Sequence, residues 1–174
     1  MQVTLSAPKY TDSVITLPAS KSISNRALVI NALAGGNTHP DNLSCCDDTD
    51  VMVAALKDMP YEINIKACGT AMRFLTAYLA ASDCGEHVIT GTDRMKHRPI
   101  GVLVDALRSL GAEIAYVGEE GYPPLKISGR HLEGGTVSVM GNISSQYISA
   151  LLMIGPVMTQ GLTLHLVGYI ISRL

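Results

Sequence analysis

"VITLPASKSISNRALVINALAGGNTHPDNLS", residues 14–44, is the stretch whose reading decides the fold. It opens on a β-rich run, crosses a loop of small polar residues, and continues as a helix that is apolar nearly all round. Glycines and a second extended run close it. Two later stretches share this grammar: "EINIKACGTAMRFLTAYLAASDCGEHVITGT" (62–92) and "TVSVMGNISSQYISALLMIGPVMTQGLTLHLVG" (136–168). A helix apolar on every side belongs in an interior. The sequence therefore predicts three buried helices, each flanked by strands and each entered through a loop of Ser, Thr or Gly.

Helices of another kind lie between these stretches. "DDTDVMVAALKDM" (47–59) is expected to open on aspartate caps. "RPIGVLVDALRSLGAEI" (98–114) sets Leu103, Leu107 and Leu110 on one face and Asp105 and Arg108 on the other. Its "LGAEI" tail reads as a helix stop followed by a strand start. Further strands are expected over 114–117 and 125–128, joined through "GEEGYPP". The predicted class is α/β (α+β): repeated strand-helix-strand-helix-strand units with buried helices inside and sheets outside. Residues 1–174 then form one domain of about two and a half units, the third stopping after its second strand at "VGYIISRL".

The composition suits such a core. Of 174 residues, 47% are hydrophobic and 16% charged, which excludes disorder. Thirteen basic against fifteen acidic side chains leave a net charge of -2, which argues against a nucleic-acid partner, since that would need a basic face. The most apolar run, 147–158, is short and interrupted by Ser149, Gly155 and Pro156, so no membrane span is expected. "MQVTLSAPKY" has no leader pattern, and the expected location is the cytoplasm. The four cysteines (45, 46, 68, 84) and five histidines lack metal-ligand spacing; neither a metal nor another cofactor is expected.

The chemistry concentrates where the buried helices begin. Helix N-termini present unpaired N–H groups and a partial positive charge, and so attract anions. The three entry loops, "ASKSISNR" (19–26), "ACGTAMR" (67–73) and "NISSQ" (142–146), would bring Lys21, Arg26, Arg73, a glycine, an amide and several hydroxyls to one end of the bundle. Ser22, Ser24, Thr70, Ser144 and Ser145 fit two roles there, helix caps or ligands of an anion. Lys21 and Arg26 need a counter-charge if buried, and their own helix holds no acid; a bound phosphate would supply it. "GTDRMKHRPIG" (91–101) adds Arg94, Lys96 and Arg98, with Arg98 best placed at a helix start. "SKS" without a glycine-rich approach is not a nucleotide triphosphatase loop.

Four ordered segments, "LPASKSISNRALVINALAGGNT", "GTAMRFLTAYLA", "RMKHRPIGVLVDALRSLGAEI" and "SSQYISALLM", resemble the signatures of the 5-enolpyruvylshikimate-3-phosphate synthases. The resemblance implies the enolpyruvyl transferase fold and transfer of an enolpyruvyl group from phosphoenolpyruvate to shikimate 3-phosphate, in aromatic amino-acid biosynthesis. It implies that Lys21, Ser22, Arg26, Ser144, Ser145, Gln146 and Ser172 hold shikimate 3-phosphate. By the same resemblance Lys21, Gly69, Arg98 and Gln146 contact phosphoenolpyruvate, and Lys21 is catalytic. Ala19 stands where the family pattern has glycine, Ala67 and Cys68 where it has Asn-Ala, and Phe74 where it often has proline.

The family enzyme is about twice as long, with two similar domains closing on the substrates. The expectation is that this chain is the N-terminal part, inactive alone and needing the C-terminal part of the same enzyme as its partner. Two alternatives stay open from the sequence. One is the sister enzyme, UDP-N-acetylglucosamine enolpyruvyl transferase; the other is a non-catalytic module that binds a phosphorylated ligand.

Overall fold

The computed structural model describes residues 2–36, 38 and 40–169. Helix α1 (Lys21–Leu33) starts at Ser20, whose hydroxyl accepts the Ile23 N–H at 3.4 Å. It ends through Gly35 at φ +71°, a left-handed conformation that glycine adopts without strain. Helix α2 (Asp47–Asp58) gathers Asp47, Asp48 and Asp50 in its first turn, where carboxylates complement the helix dipole. The cap position is Cys46 and makes no side-chain capping bond. The aspartates therefore act from inside the helix and not as the expected caps.

The middle of the chain builds a complete repeat unit. Strand β1 (Glu62–Asn64), helix α3 (Gly69–Ala80), strand β2 (Glu86–Thr90), a short α4 (Asp93–Lys96), α5 (Gly101–Ser109), β3 (Glu113–Tyr116) and β4 (Leu125–Ser128) follow in order. The strands form one sheet in the order β1-β2-β4-β3. Strand β1 runs parallel to β2, with Ile63 opposite Ile89, as a helical crossover requires. Strand β4 lies antiparallel between β2 and β3, pairing Leu125 with Ile89 and Ile127 with Ile114. All five side chains are buried. The helix-stop reading holds at Gly111, which takes φ +96° just before β3.

The next unit begins in the same way: β5 (Gly135–Met140), α6 (Ser145–Ile154), a single 3₁₀ turn (Gly155–Val157) and β6 (Leu162–Val167). Strands β5 and β6 pair in parallel, Val137 opposite Leu164 and Val139 opposite Leu166. Helices α1, α3 and α6 pack on one another, with α3 at the centre; ten of its twelve residues are buried. The mixed class with inner helices and outer sheets is the one expected.

The first stretch departs from the expected pattern. Residues 14–20, and the described part of 38–44, form no strand. Strands need a neighbour's edge to satisfy their backbone groups, and among the described residues none pairs with either run; 14–20 is mostly exposed, and the second run bends at Asp41 and Asn42, the latter at φ +55°. Nor is α1 buried all round. Ile23 and Ile30 are 71% and 52% exposed, because α2, α3 and α6 cover only one side of the helix.

Candidate functional site

Helix α1 begins beside α2, not beside an empty space. Lys21 Nζ lies 3.2 Å from Asp48 Oδ2, with the lysine side chain half exposed. This corrects the expectation of an unpartnered buried cation. The counter-charge comes from another helix, 27 residues on, where spacing within α1 gives no sign of it. Buried polar bonds fix α2 there. Thr49 Oγ1 donates to Asn25 Oδ1 at 3.1 Å, and Ser24 Oγ accepts the Ser44 N–H at 2.9 Å. Ser24 is thus structural, while Ser22 is exposed.

Arg26 is also partnered within the protein. Its Nη1 donates to the Ser22 carbonyl and its Nη2 to Ser149 Oγ, both at 3.0 Å. Its guanidinium lies 5.4 Å from the centre of the Phe74 ring, a cation–π contact. Phe74 is fully buried. One arginine therefore joins α1, α3 and α6, and the aromatic residue at 74 is the surface it rests on.

Helix α3 begins with Cys68 and Gly69. The Cys68 thiol is buried, and burial, reinforced by the nearby Asp48 carboxylate, pushes its pKa up to about 12. It is a neutral, packed thiol near pH 7. At Gly69 a side chain would press on two guanidinium groups. A Cβ there would sit 2.6 Å from Arg98 Nη1 and 2.9 Å from Arg73 Nη1. Arg98, on the turn between α4 and α5, thus brings its guanidinium to the start of α3. Arg73 donates from Nη1 to the Gly69 carbonyl at 2.8 Å and to Gln146 Oε1 at 2.9 Å.

Helix α6 begins with Ser144, whose hydroxyl accepts the Gln146 N–H at 3.3 Å, so the capping role applies to this serine. Ser145 follows at the first helical position, half-buried. Gln146 reaches across to α3, its Nε2 donating to Thr70 Oγ1 at 3.0 Å. Tyr147 stacks on Arg73 at 5.0 Å and donates its hydroxyl to the Pro99 carbonyl at 2.6 Å. Of the remaining cations, Lys96 pairs with Asp93 at 3.4 Å and Arg94 is exposed. Ser172 lies outside the described residues.

Two linked groups result. One joins Lys21, Asp48 and the Cys68 end of α3; the other joins Gly69, Thr70, Arg73, Arg98, Gln146 and Tyr147. They meet at the first residues of α3, where a helix N-terminus adds its partial positive charge. Three cationic side chains, on two helices and one turn, suit multiply charged anions. Asp48 and Tyr147 carry no sequence signal of this role, because both act through partners remote in the chain.

The family model for EPSP synthase (3-phosphoshikimate 1-carboxyvinyltransferase) matches residues 5–64 and 58–174. A 3-phosphoshikimate 1-carboxyvinyltransferase of Bacteroides fragilis is 60% identical over 173 residues, covering 99% of this chain and 42% of the relative. One from Colwellia psychrerythraea is 42% identical over 198 residues, covering 99% and 46% respectively. The solved structure of EPSP synthase from Acinetobacter baumannii superposes with a TM-score of 0.72 at 28% identity, covering 83% of this chain and 38% of that one. The chain thus spans less than half the length of these relatives. No helix of the described residues is long and apolar enough to cross a membrane.

Proposed function

The chain belongs to the EPSP synthase family, and on that premise we propose that it carries the substrate-gripping half of an enolpyruvyl transferase site. The reaction is transfer of the enolpyruvyl group of phosphoenolpyruvate to the 5-hydroxyl of shikimate 3-phosphate, with release of phosphate. Shikimate 3-phosphate would be held by Lys21, Ser22, Arg26, Ser144, Ser145 and Gln146, with Ser172 added from outside the described residues. Phosphoenolpyruvate would be held by Lys21, Gly69, Arg98 and Gln146.

The observation that carries this reading is the approach of the Arg98 guanidinium to Gly69 at the start of α3, with Arg73 and Gln146 beside it. Both substrates are anions that repel each other. Cations and helix N-termini offset that repulsion and hold the reacting atoms together. Lys21, poised against Asp48, can trade this partner for a substrate oxygen and stabilise charge or pass a proton as the tetrahedral adduct forms and breaks.

In this reading residues 1–174 make up one domain of about two and a half repeat units. The relatives are more than twice as long, and turnover requires a further C-terminal region like theirs, so the chain binds but does not turn over alone. The location would be cytoplasmic, and neither metal nor cofactor is called for.

The test is a calorimetric titration of the 174-residue chain with shikimate 3-phosphate, with shikimate and a uridine diphosphate sugar as controls. The reading predicts binding that requires the 3-phosphate. Preference for the uridine diphosphate sugar would move the chain to the sister enzyme, and no binding by a folded chain would overturn the proposal.

A further inference from the structure

The Gln146 side-chain amide has chemically opposite ends, so its orientation decides what it offers an anion. Arg73 Nη1 donates to one end at 2.9 Å. A guanidinium has donors and no acceptor, so the atom it meets is the amide oxygen. The other end faces Thr70 Oγ1 at 3.0 Å, a hydroxyl that donates or accepts equally and dictates nothing. Arg73 is the partner that sets the amide.

Arg73 is itself held on several sides. Its Nη1 is also bonded to the Gly69 carbonyl at 2.8 Å, and its guanidinium lies over the buried Tyr147 ring at 5.0 Å. Tyr147 in turn holds the carbonyl of Pro99, next in the chain to Arg98. We propose that Arg73 is a positioning residue that locks Gln146 as a hydrogen-bond donor toward the anion site and, through Tyr147, anchors the Arg98 segment. One Nε2 hydrogen goes to Thr70 and the second is offered to a ligand oxygen. With the amide reversed, its oxygen lone pairs would face the anion. This deepens the function proposed above and rests on that reading for the identity of the ligand.

Three variants of the 174-residue chain test it: Arg73→Lys, which keeps the charge without the planar fork, Arg73→Leu, and Gln146→Glu. The first readout needs no ligand. The Gln146 side-chain NH₂ pair, identified by its loss from the Gln146→Glu spectrum, is followed by ¹⁵N NMR. It is expected to be shifted and protected from exchange in the parent chain and to move to solvent-exposed positions in both Arg73 variants. The second readout is phosphoenolpyruvate affinity, expected to fall about tenfold in Arg73→Lys from loss of one charge-assisted hydrogen bond. Gln146→Glu gains an ion pair with Arg73, so it should keep its melting temperature and yet lose phosphoenolpyruvate at least as severely.

An unchanged NH₂ pair in the Arg73 variants, or parental phosphoenolpyruvate affinity in Arg73→Lys, overturns the proposal. If Arg73→Leu does not fold, Arg73→Lys decides. If the parent chain does not bind phosphoenolpyruvate, the functional reading fails, and the NMR signature alone judges Arg73.

Discussion

Replacing Gly69 by alanine perturbs the centre of the site with one methyl group. The new Cβ would lie 2.6 Å from Arg98 Nη1 and 2.9 Å from Arg73 Nη1, where ordinary contact begins near 3.4 Å. Arg98 is exposed and swings away at little cost, but in doing so it leaves the start of α3. Arg73 must retreat by about half an ångström, which stretches its bonds of 2.8 and 2.9 Å to Gly69 and Gln146. Weakening two such bonds costs about 1–2 kcal/mol. Alanine returns about 0.4–1 kcal/mol by restricting the unfolded chain. The net loss of about 0–1.6 kcal/mol corresponds to a melting temperature lower by at most about 6 °C in a chain of this size. Phosphoenolpyruvate affinity should fall further, by about tenfold or more, because a cation displaced by most of an ångström no longer meets its ligand. Thermal melting followed by circular dichroism, with calorimetric titration alongside, measures both. A Gly69→Ala chain that melts higher than the parent and binds phosphoenolpyruvate equally well would refute the placement of both arginines.

Other perturbations have equally definite outcomes. Lys21→Ala should change stability by less than about 1 kcal/mol in urea unfolding, since its ion pair is half exposed, while removing measurable shikimate 3-phosphate binding. Asn25→Ala should cost about 1–3 kcal/mol in the same assay, because it removes one hydrogen bond of the buried Thr49 hydroxyl, leaving it only Cys46 Sγ at 3.3 Å, and opens a gap between α1 and α2. The Cys46 thiol is held below its ordinary range by hydrogen bonds from Thr49 and Ser44, whereas that of Cys68 is raised to about 12. Timed alkylation at pH 7.5 followed by mass mapping should therefore label Cys46 well before Cys68. Cys68 also makes stability fall as pH rises from about 9 toward 12, because the unfolded thiol loses its proton there and the folded one keeps it. Cys68→Ala should flatten that decline.

The repeat was legible because two signals agreed at each unit. Loops of small residues mark the helix starts, and apolar runs such as 74–80 mark helices meant for the interior, though not which of the three lies at the centre. Gly69, Arg98 and Gln146 are named by the resemblance of their segments, and the structure brings all three to the start of α3. The exposure of Ile23 and Ile30 is not legible in the sequence, because it depends on which neighbours cover α1, and apolar composition does not report that. The β-rich run at 14–17 predicts a strand, but a strand is a property of two segments, and among the described residues none pairs with this one. The Lys21–Asp48 pair and the Arg73–Gln146 bond were hidden for a related reason. Each joins residues far apart in the chain, where spacing on one helix says nothing.

In the proposed site the starts of α1, α3 and α6 bind anions together with Arg98. Amide chemical-shift mapping of the ¹⁵N-labelled chain, titrated with shikimate 3-phosphate and then with phosphoenolpyruvate, tests it most directly. Saturable shifts are expected at residues 20–26, 67–73, 98 and 144–146, with the first ligand strengthening the response to the second. Shifts confined to one of these segments, or centred elsewhere on the fold, would contradict it.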